Sequence, residues 1–118
     1  MPILRLNDPG TMPWPDLLGS APILILYKHS SVCLYSLLSR FSILGFSTAH
    51  PDLPIFWIDV IDQRDFSSRI AEDLLVLHQS PQAIMVAGGC PVWTASHGGL
   101  TVRAMEQALA DARNGPTR

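Results

Sequence analysis

The feature that most constrains the fold is an apolar run that stops abruptly and leads straight into an amphipathic segment. Residues 22–27 are apolar throughout, a pattern typical of a strand that is buried on both faces of a sheet. The polar residues 28–31 follow, and from Val32 onward apolar side chains recur at helical spacing until Gly45 offers a stop. The sequence therefore predicts a central strand followed directly by a helix.

The rest of the chain alternates between strand and helix patterns. Further strands are predicted within residues 53–61, 82–87 and 91–95, and further helices within residues 66–75 and 100–112. Gly88, Gly89 and Cys90 join the last two strands, as expected of a hairpin. This order predicts an α/β fold with a central mixed β-sheet, βαβαββα, and helices on both faces.

The first 20 residues follow neither pattern, because they contain four prolines and few periodic apolar positions. We expect residues 1–20 to form an irregular lead-in, with a short helix over residues 14–18. This segment is expected to pack on one end of the domain that residues 21–118 form.

Composition allows one compact core and excludes several classes of partner. Of the 118 residues, 47% are hydrophobic and 15% are charged, and the formal net charge is -2. There is no basic block for a nucleic acid or an anionic membrane, and no apolar run approaches the ~20 residues that a membrane span needs. The first ten residues lack the apolar core of a signal peptide. We therefore expect a cytoplasmic protein without a nucleic-acid or membrane partner.

Cys33 and Cys90 are the only two cysteines. One disulfide and two free thiols both remain open, and a reducing cytosol favours free thiols. The cysteines and the four histidines show none of the paired short spacings of zinc ligands, so no metal site is expected.

Cys33 has the position of a reactive thiol. It falls in the first turn of the predicted helix, where unpaired N–H groups and the helix dipole favour a thiolate and lower the pKa below the ordinary value of about 8.5. The nearby Lys28 and His29 act in the same direction. The alternative is a buried, inert cysteine, but a strand-to-helix turn at the carboxyl end of a sheet favours exposure.

Ser36 lies three residues after Cys33. From there it can offer its hydroxyl and its backbone N–H to the sulfur. Because serine cannot close an internal disulfide, the pattern is that of a monothiol.

Four short motifs follow one another along the chain: residues 27–36 (YKHSSVCLYS), 57–60 (WIDV), 78–82 (HQSPQ) and 92–97 (VWTASH). Together they resemble the thioredoxin-like bacillithiol-system proteins of the YtxJ type, also called monothiol bacilliredoxins. The resemblance spans about residues 21–110. It implies a thioredoxin-like fold, a nucleophilic Cys33 and a cis Ser80–Pro81 bond opposite it. It also implies thiol exchange with mixed disulfides of a low-molecular-weight thiol.

The same resemblance implies the partners. They are S-thiolated client proteins and a bacillithiol-like thiol that serves as co-substrate, with no bound cofactor. Two positions depart from the family pattern: Leu34 replaces the proline that commonly follows the cysteine, and Cys90 has no recognised counterpart.

On such a fold, the strand directions bring the end of the last strand, with His97 and Gly98, close to Cys33. His97 and His29 can stabilise a thiolate or donate a proton to a leaving sulfur, and each can equally be a structural hydrogen-bond donor. Asp59 can assist proton transfer or stabilise a turn. The predicted catalytic residues are Cys33 and Ser36, and the predicted substrate-binding residues are Lys28, His29, Ser80, Pro81, His97 and Gly98.

Two other functions compete with thiol exchange. A non-catalytic module would hold an extended peptide in the groove between Cys33 and Pro81, and an ordinary pKa of Cys33 would favour it. An iron–sulfur carrier similar to the monothiol glutaredoxins is disfavoured, because Leu34 and Tyr35 replace the small residue that lets a cluster approach.

The distance between Cys90 and Cys33 distinguishes a monothiol mechanism from a dithiol mechanism in which Cys90 would resolve the intermediate. About six strand residues, each rising roughly 3.3 Å, would separate it from Cys33 by on the order of 20 Å. A disulfide needs Cα atoms within about 7 Å. We therefore expect no internal disulfide.

Overall fold

The computed structural model describes residues 3–5, 14–31 and 34–114, the first three through their backbone alone. The elements in chain order are β1 (Ile3–Arg5), α1 (Trp14–Leu17), β2 (Ile23–His29), α2 (Leu34–Ala49), β3 (Ile55–Asp59), α3 (Arg64–Leu74), β4 (Gln82–Ala87), β5 (Cys90–Ser96), a 3-10 turn (His97–Gly99) and α4 (Val102–Arg113). Every strand and helix expected after residue 20 is present, with ends that differ by a few residues.

The five strands form one mixed sheet in the order β1-β3-β2-β4-β5. β2 is central, pairing parallel with β3 and antiparallel with β4. This position explains its continuous apolar sequence, because helices cover both of its faces. The β4–β5 hairpin turns through Gly88 and Gly89, whose φ angles of 61° and 79° suit a two-residue turn that other residues rarely adopt.

Two apolar clusters lie on opposite faces of the sheet. One joins the sheet to α2 and α4, through Ile43 and Phe46 of α2 and Met105 and Leu109 of α4. The other joins it to α1 and α3. The expected α/β arrangement, a mixed sheet with helices on both faces, is confirmed.

The expectation of an irregular lead-in is wrong for residues 3–5, which form β1 and pair parallel with β3. Three residues are too few for an alternating pattern to show in the sequence, and the pairing depends on β3 presenting a free edge. The short helix expected near Trp14 is present as α1. Its Trp14 indole N–H donates to Asp73 of α3 at 2.7 Å.

α2 differs from the predicted helix in its end and in its buried face. It continues past Gly45 to Ala49, so the predicted stop at Gly45 is wrong. A glycine inside a helix costs about 1 kcal/mol, which the complete burial of the Phe46 side chain offsets. The residues that α2 buries are Ser36, Ser39, Ile43, Phe46 and Ser47. The residues that showed the helical spacing, Leu34, Leu37, Leu38, Phe41 and Leu44, are all exposed.

Candidate active site

The candidate site lies at one end of the sheet, where β2 and β3 finish and β4 begins. Lys28 pairs with Gln82 across β2 and β4, and His29 pairs with Asp59 across β2 and β3. Cys33 itself lies outside the described residues. β2 ends at His29, and Leu34, the residue after Cys33, begins α2. The placement of Cys33 at the start of the helix stays a prediction.

Ser36 is fully buried in the first turn of α2. Its Oγ accepts a hydrogen bond from the backbone N–H of Ser30 at 3.0 Å. A hydroxyl that accepts one bond still has its own hydrogen to donate. Ser36 therefore links the loop after β2 to the helix and retains the capacity to donate.

Tyr27 lies directly beneath this turn. Its buried hydroxyl lies 2.7 Å from Ser39 Oγ, 3.1 Å from His29 Nδ1 and 3.4 Å from the carbonyl oxygen of Ser36, to which it can donate. The ring of Trp57 lies against both Tyr27 and His29, with centroid distances of 4.9 Å and 4.7 Å. The His29 imidazole, the Tyr27 phenol and the Ser39 hydroxyl thus form one connected hydrogen-bonded group, with the Ser36 carbonyl oxygen as a further acceptor.

His29 is 6% exposed. Its Nδ1 lies against the Tyr27 hydroxyl, and its ring packs on Trp57. This burial orients the imidazole at the end of β2. A structural hydrogen-bond donor and a proton donor would both be held in this way, so the role of His29 stays a prediction.

The Ser80–Pro81 peptide bond is cis, as the resemblance implied. Pro81 is buried, and its carbonyl oxygen accepts a hydrogen bond from the backbone N–H of His97 at 3.2 Å. The start of β4 and the end of β5 are therefore joined directly at this end of the sheet.

His97 is exposed and begins the 3-10 turn with a φ of 52°. Its ring meets the ring of Tyr35 edge to face, with centroids 5.6 Å apart. Tyr35 is the second residue of α2, so the end of β5 contacts the start of that helix. The predicted approach to Cys33 itself involves a residue outside the described part of the chain. Gly98 follows in the same exposed turn.

Lys28 lies on the other face of β2 and is fully buried. Its Nζ donates to the carbonyl oxygen of Ser67 at 3.1 Å and to His78 Nδ1 at 3.0 Å. Burial lowers the pKa of Lys28 to about 8. The structure does not give Lys28 the exposed position that direct substrate binding requires.

His78 completes this second polar group. Its Nδ1 faces both Lys28 Nζ and Ser67 Oγ, the latter at 3.3 Å. Desolvation and the neighbouring ammonium lower the pKa of His78. Because Nδ1 accepts from Lys28, the neutral imidazole carries its hydrogen on Nε2. His78 stands three residues before Pro81, so Lys28 is tied to the segment that carries the cis bond.

Asp59 stabilises a turn. Its Oδ1 accepts hydrogen bonds from the backbone N–H groups of Ile61 at 2.9 Å and Asp62 at 3.1 Å. Of the two alternatives for Asp59, the turn role is confirmed.

Cys90 is a free, exposed thiol at the first position of β5. It pairs with Ala87, at the opposite end of the hairpin from Gln82 and Ser96. The predicted absence of a link to Cys33 stays a prediction.

Sequence reasoning missed two members of the site, Tyr27 and His78. Tyr27 looked like one more apolar residue of a buried strand, although its hydroxyl was the single polar group in that run. His78 belonged to a quoted motif but had no assigned role. A lysine at the end of an apolar strand was the available signal, since a buried ammonium needs acceptors.

Among residues 14–31 and 34–114, no group of three or more His, Cys, Asp or Glu side chains is arranged to hold a metal ion. None of the helices in this described part is long and apolar enough to cross a bilayer.

Comparison with protein families and solved structures gives consistent results. The family model for the monothiol bacilliredoxin BrxC matches residues 17–105. A solved structure described as a proposed oxidoreductase with a thioredoxin fold is 26% identical, with a TM-score of 0.81 over 92% of this chain and 94% of that chain.

Two thioredoxins superpose well at lower identity. Mitochondrial thioredoxin 3 from Saccharomyces cerevisiae in its oxidised form is 17% identical, with a TM-score of 0.69 over 92% of this chain and 94% of that chain. Thioredoxin from Trypanosoma brucei brucei is 13% identical, with a TM-score of 0.72 over 95% of this chain and 91% of that chain. The chain therefore has the thioredoxin fold.

Proposed function

The chain belongs to the monothiol bacilliredoxin BrxC family, and on that premise we propose that it removes a bacillithiol-like thiol from S-thiolated client proteins. The observation that carries the proposal is the meeting of three segments at one end of the sheet. Tyr35 at the start of α2 contacts His97, and His97 is hydrogen-bonded to Pro81. Cys33 immediately precedes Leu34, the first residue of α2, in the sequence.

The reaction has two exchange steps. The Cys33 thiolate attacks the sulfur of the small thiol in a client mixed disulfide, forming a new S–S bond as the old one breaks. The client cysteine leaves as a thiolate and takes up a proton. A second molecule of the small thiol then attacks the mixed disulfide on Cys33, so the small-thiol disulfide leaves and Cys33 is regenerated. Electrons balance, because one disulfide is exchanged for another: the client mixed disulfide and one free small thiol become the client thiol and the small-thiol disulfide.

Ser36 defines the monothiol character, since it occupies the position at which a second cysteine would resolve the intermediate. Its hydroxyl supports the loop before Cys33 through Ser30. The intermediate on Cys33 must therefore wait for an external thiol, which a reducing cytoplasm supplies.

His29 and His97 serve as proton donors to the leaving sulfur in this proposal. His29 is buried and held by Tyr27, whereas His97 is exposed and contacts Tyr35 at the start of α2. The backbone before Pro81, at Ser80, pairs with the client segment around its modified cysteine, and Gly98 leaves room beside it. Lys28 acts indirectly in this proposal, by holding His78 and the segment before Pro81.

Intact-mass analysis tests the proposal. The reduced protein is incubated separately with oxidised bacillithiol, oxidised glutathione and coenzyme A disulfide, and then with a bacillithiolated reporter protein. We expect a single bacillithiol adduct and loss of the reporter's modification. Cys33→Ser should abolish both, and the matched Cys90→Ser variant should keep both.

A protein that forms no adduct and leaves the reporter modified would instead be a binding module. An adduct with glutathione alone would keep the reaction and change the small thiol.

A further inference from the structure

The outer face of α2 is a continuous apolar surface with nothing of the described chain packed on it. Five residues define this α2 outer face: Leu34, Leu37, Leu38, Phe41 and Leu44. Their exposed fractions are 68%, 40%, 57%, 64% and 42%. The five positions lie on the side of the helix opposite its buried residues. Tyr35 of α2 is also exposed, but its ring lies against His97. The remaining exposed large apolar residues of the described chain lie outside α2.

From this surface we propose that the protein forms a twofold homodimer in which the α2 outer face of one copy packs against that of a second copy. The proposal is independent of the redox function. A twofold interface uses the same patch on both subunits, so a single apolar face on each copy is sufficient.

The exposed area matches what such an interface needs. The five fractions amount to between two and three fully exposed large side chains, on the order of 500 Å² per copy. A standard interface buries about 800 Å² per partner, and about two thirds of a homodimer interface is apolar. The α2 outer face thus supplies the apolar centre, and the polar residues beside it supply a rim.

The spacing of the face fits a second helix. Residues 34, 37, 41 and 44 alternate steps of three and four, the spacing with which one helix packs along another. The face runs ten residues from Leu34, about 15 Å along the helix axis. Phe41 and Leu44 therefore lie about 10 Å and about 15 Å along the helix axis from Leu34, the first residue of α2.

Gly45 supplies a separate observation. It is the twelfth of the 16 residues of α2, at the edge of the α2 outer face that borders Val102 of α4, and it is exposed. Among the described residues, the nearest atom to a Cβ added there is Val102 Cγ2 at 3.9 Å, and its φ is not positive. Nothing within the described chain requires glycine at this helical position, where it costs about 1 kcal/mol. A closely packed second helix would require it.

The charges favour a protein surface over a lipid surface. Arg40 is the one charged residue of α2, and its guanidinium lies 5.2 Å from the centre of the Phe41 ring. A membrane-surface helix instead carries several Lys and Arg on its polar face. No carboxylate of α2 would be buried unpaired when two copies meet.

Sedimentation equilibrium of the full chain tests the dimer, with dithiothreitol present to keep Cys90 reduced. Over about 1 to 500 µM, we expect the wild-type protein to shift from monomer to dimer. Phe41→Glu should weaken association at least about tenfold, because it places two like charges at the centre of the interface. The matched control, Leu77→Glu, changes a residue that is 80% exposed beyond α3 and should leave association unchanged.

Gly45→Leu separates a specific helix pair from non-specific association. It enlarges the apolar surface, so non-specific sticking would strengthen, whereas a close-packed pair would weaken. Thermal melting by circular dichroism verifies that each variant is folded.

A wild-type protein that stays monomeric throughout, or a Phe41→Glu variant that behaves like Leu77→Glu, would overturn the proposal. A monomer whose Phe41→Glu variant dethiolates the reporter more slowly would overturn it in favour of client docking. A monomer that sediments with anionic phospholipid vesicles would overturn it in favour of a lipid surface.

Discussion

Lys28 Nζ donates a 3.0 Å hydrogen bond to His78 Nδ1, and this bond ties the central strand β2 to the segment that leads to the cis Ser80–Pro81 bond. The ammonium is fully buried and its second acceptor is a backbone carbonyl, that of Ser67. Neither of these two acceptors is a carboxylate, so neither neutralises the ammonium charge. Burying the charged ammonium therefore costs free energy. This cost makes the stability of the protein depend on pH, which an unfolding experiment can measure.

Lys28→Met should change how stability depends on pH. Burial lowers the pKa of Lys28 from 10.5 to about 8 in the folded protein. Between these values the unfolded chain holds a proton that the folded chain has released, so the free energy of unfolding rises with pH. Below about 8 both states are protonated, and above 10.5 both are neutral. The wild-type protein should gain on the order of 2 kcal/mol relative to Lys28→Met between pH 7 and pH 10.5.

Urea unfolding of both proteins at several pH values measures this difference in the free energy of unfolding. The contributions of the titratable groups that both proteins share cancel when one value is subtracted from the other. A difference that stays constant from neutral to alkaline pH would show that Lys28 is not desolvated.

The same substitution should raise the pKa of His78. Desolvation and repulsion by Lys28 both lower that pKa in the wild-type protein, and Lys28→Met removes the repulsion. NMR titration of the imidazole Cε1–H signals measures it, and His50 serves as an internal reference because its partner is Glu106 on α4. An unchanged His78 titration would contradict the contact.

Tyr27→Phe should destabilise the fold by about 1–3 kcal/mol. The substitution removes a hydroxyl that contacts Ser39 Oγ and His29 Nδ1 while the ring is kept, so buried polar atoms lose a partner. Tyr35→Phe is the matched control, because Tyr35 is 52% exposed and its ring can still pack on His97. Equal effects of the two substitutions would argue against the buried network.

Ser36→Ala should cost about 1–3 kcal/mol of stability, because it removes the acceptor for the Ser30 backbone N–H inside a buried loop. Ser68→Ala, on the exposed side of α3, should change stability by less than about 0.5 kcal/mol. Urea unfolding compares the two variants. Dethiolation of the reporter by Ser36→Ala should persist at a reduced rate, and unaltered stability would show that the loop does not depend on this bond.

Alkylation of Cys33 by iodoacetamide should show a midpoint below pH 8.5, about the value of an unperturbed thiol. The reason is its place next to the first residue of α2, where unpaired backbone N–H groups stabilise a thiolate. The rate for Cys33→Ser, in which Cys90 remains, is subtracted at each pH. A midpoint at or above about 8.5 would favour the non-catalytic alternative.

The sequence by itself determined the order of elements after residue 20, the central place of β2 and the end of the sheet at which the candidate site was sought. Continuous apolar character marks a strand covered on both faces, and a polar break before a helix marks a turn at the end of that strand. The two glycines of the β4–β5 turn likewise follow from local backbone requirements. Local rules of this kind need only neighbouring residues, so they can be read from the chain.

Only the tertiary structure decided which side of α2 is buried and what surrounds the Lys28 side chain. The leucines of α2 have helical spacing whichever way the helix turns, and the serines and Phe46 that fit beneath it determine which side is buried. Lys28 looked like the start of an exposed loop, but β2 extends through it to His29 and directs its side chain under α3 toward Ser67 and His78. Each of these outcomes depends on partners tens of residues away, whose positions exist only once the sheet has formed.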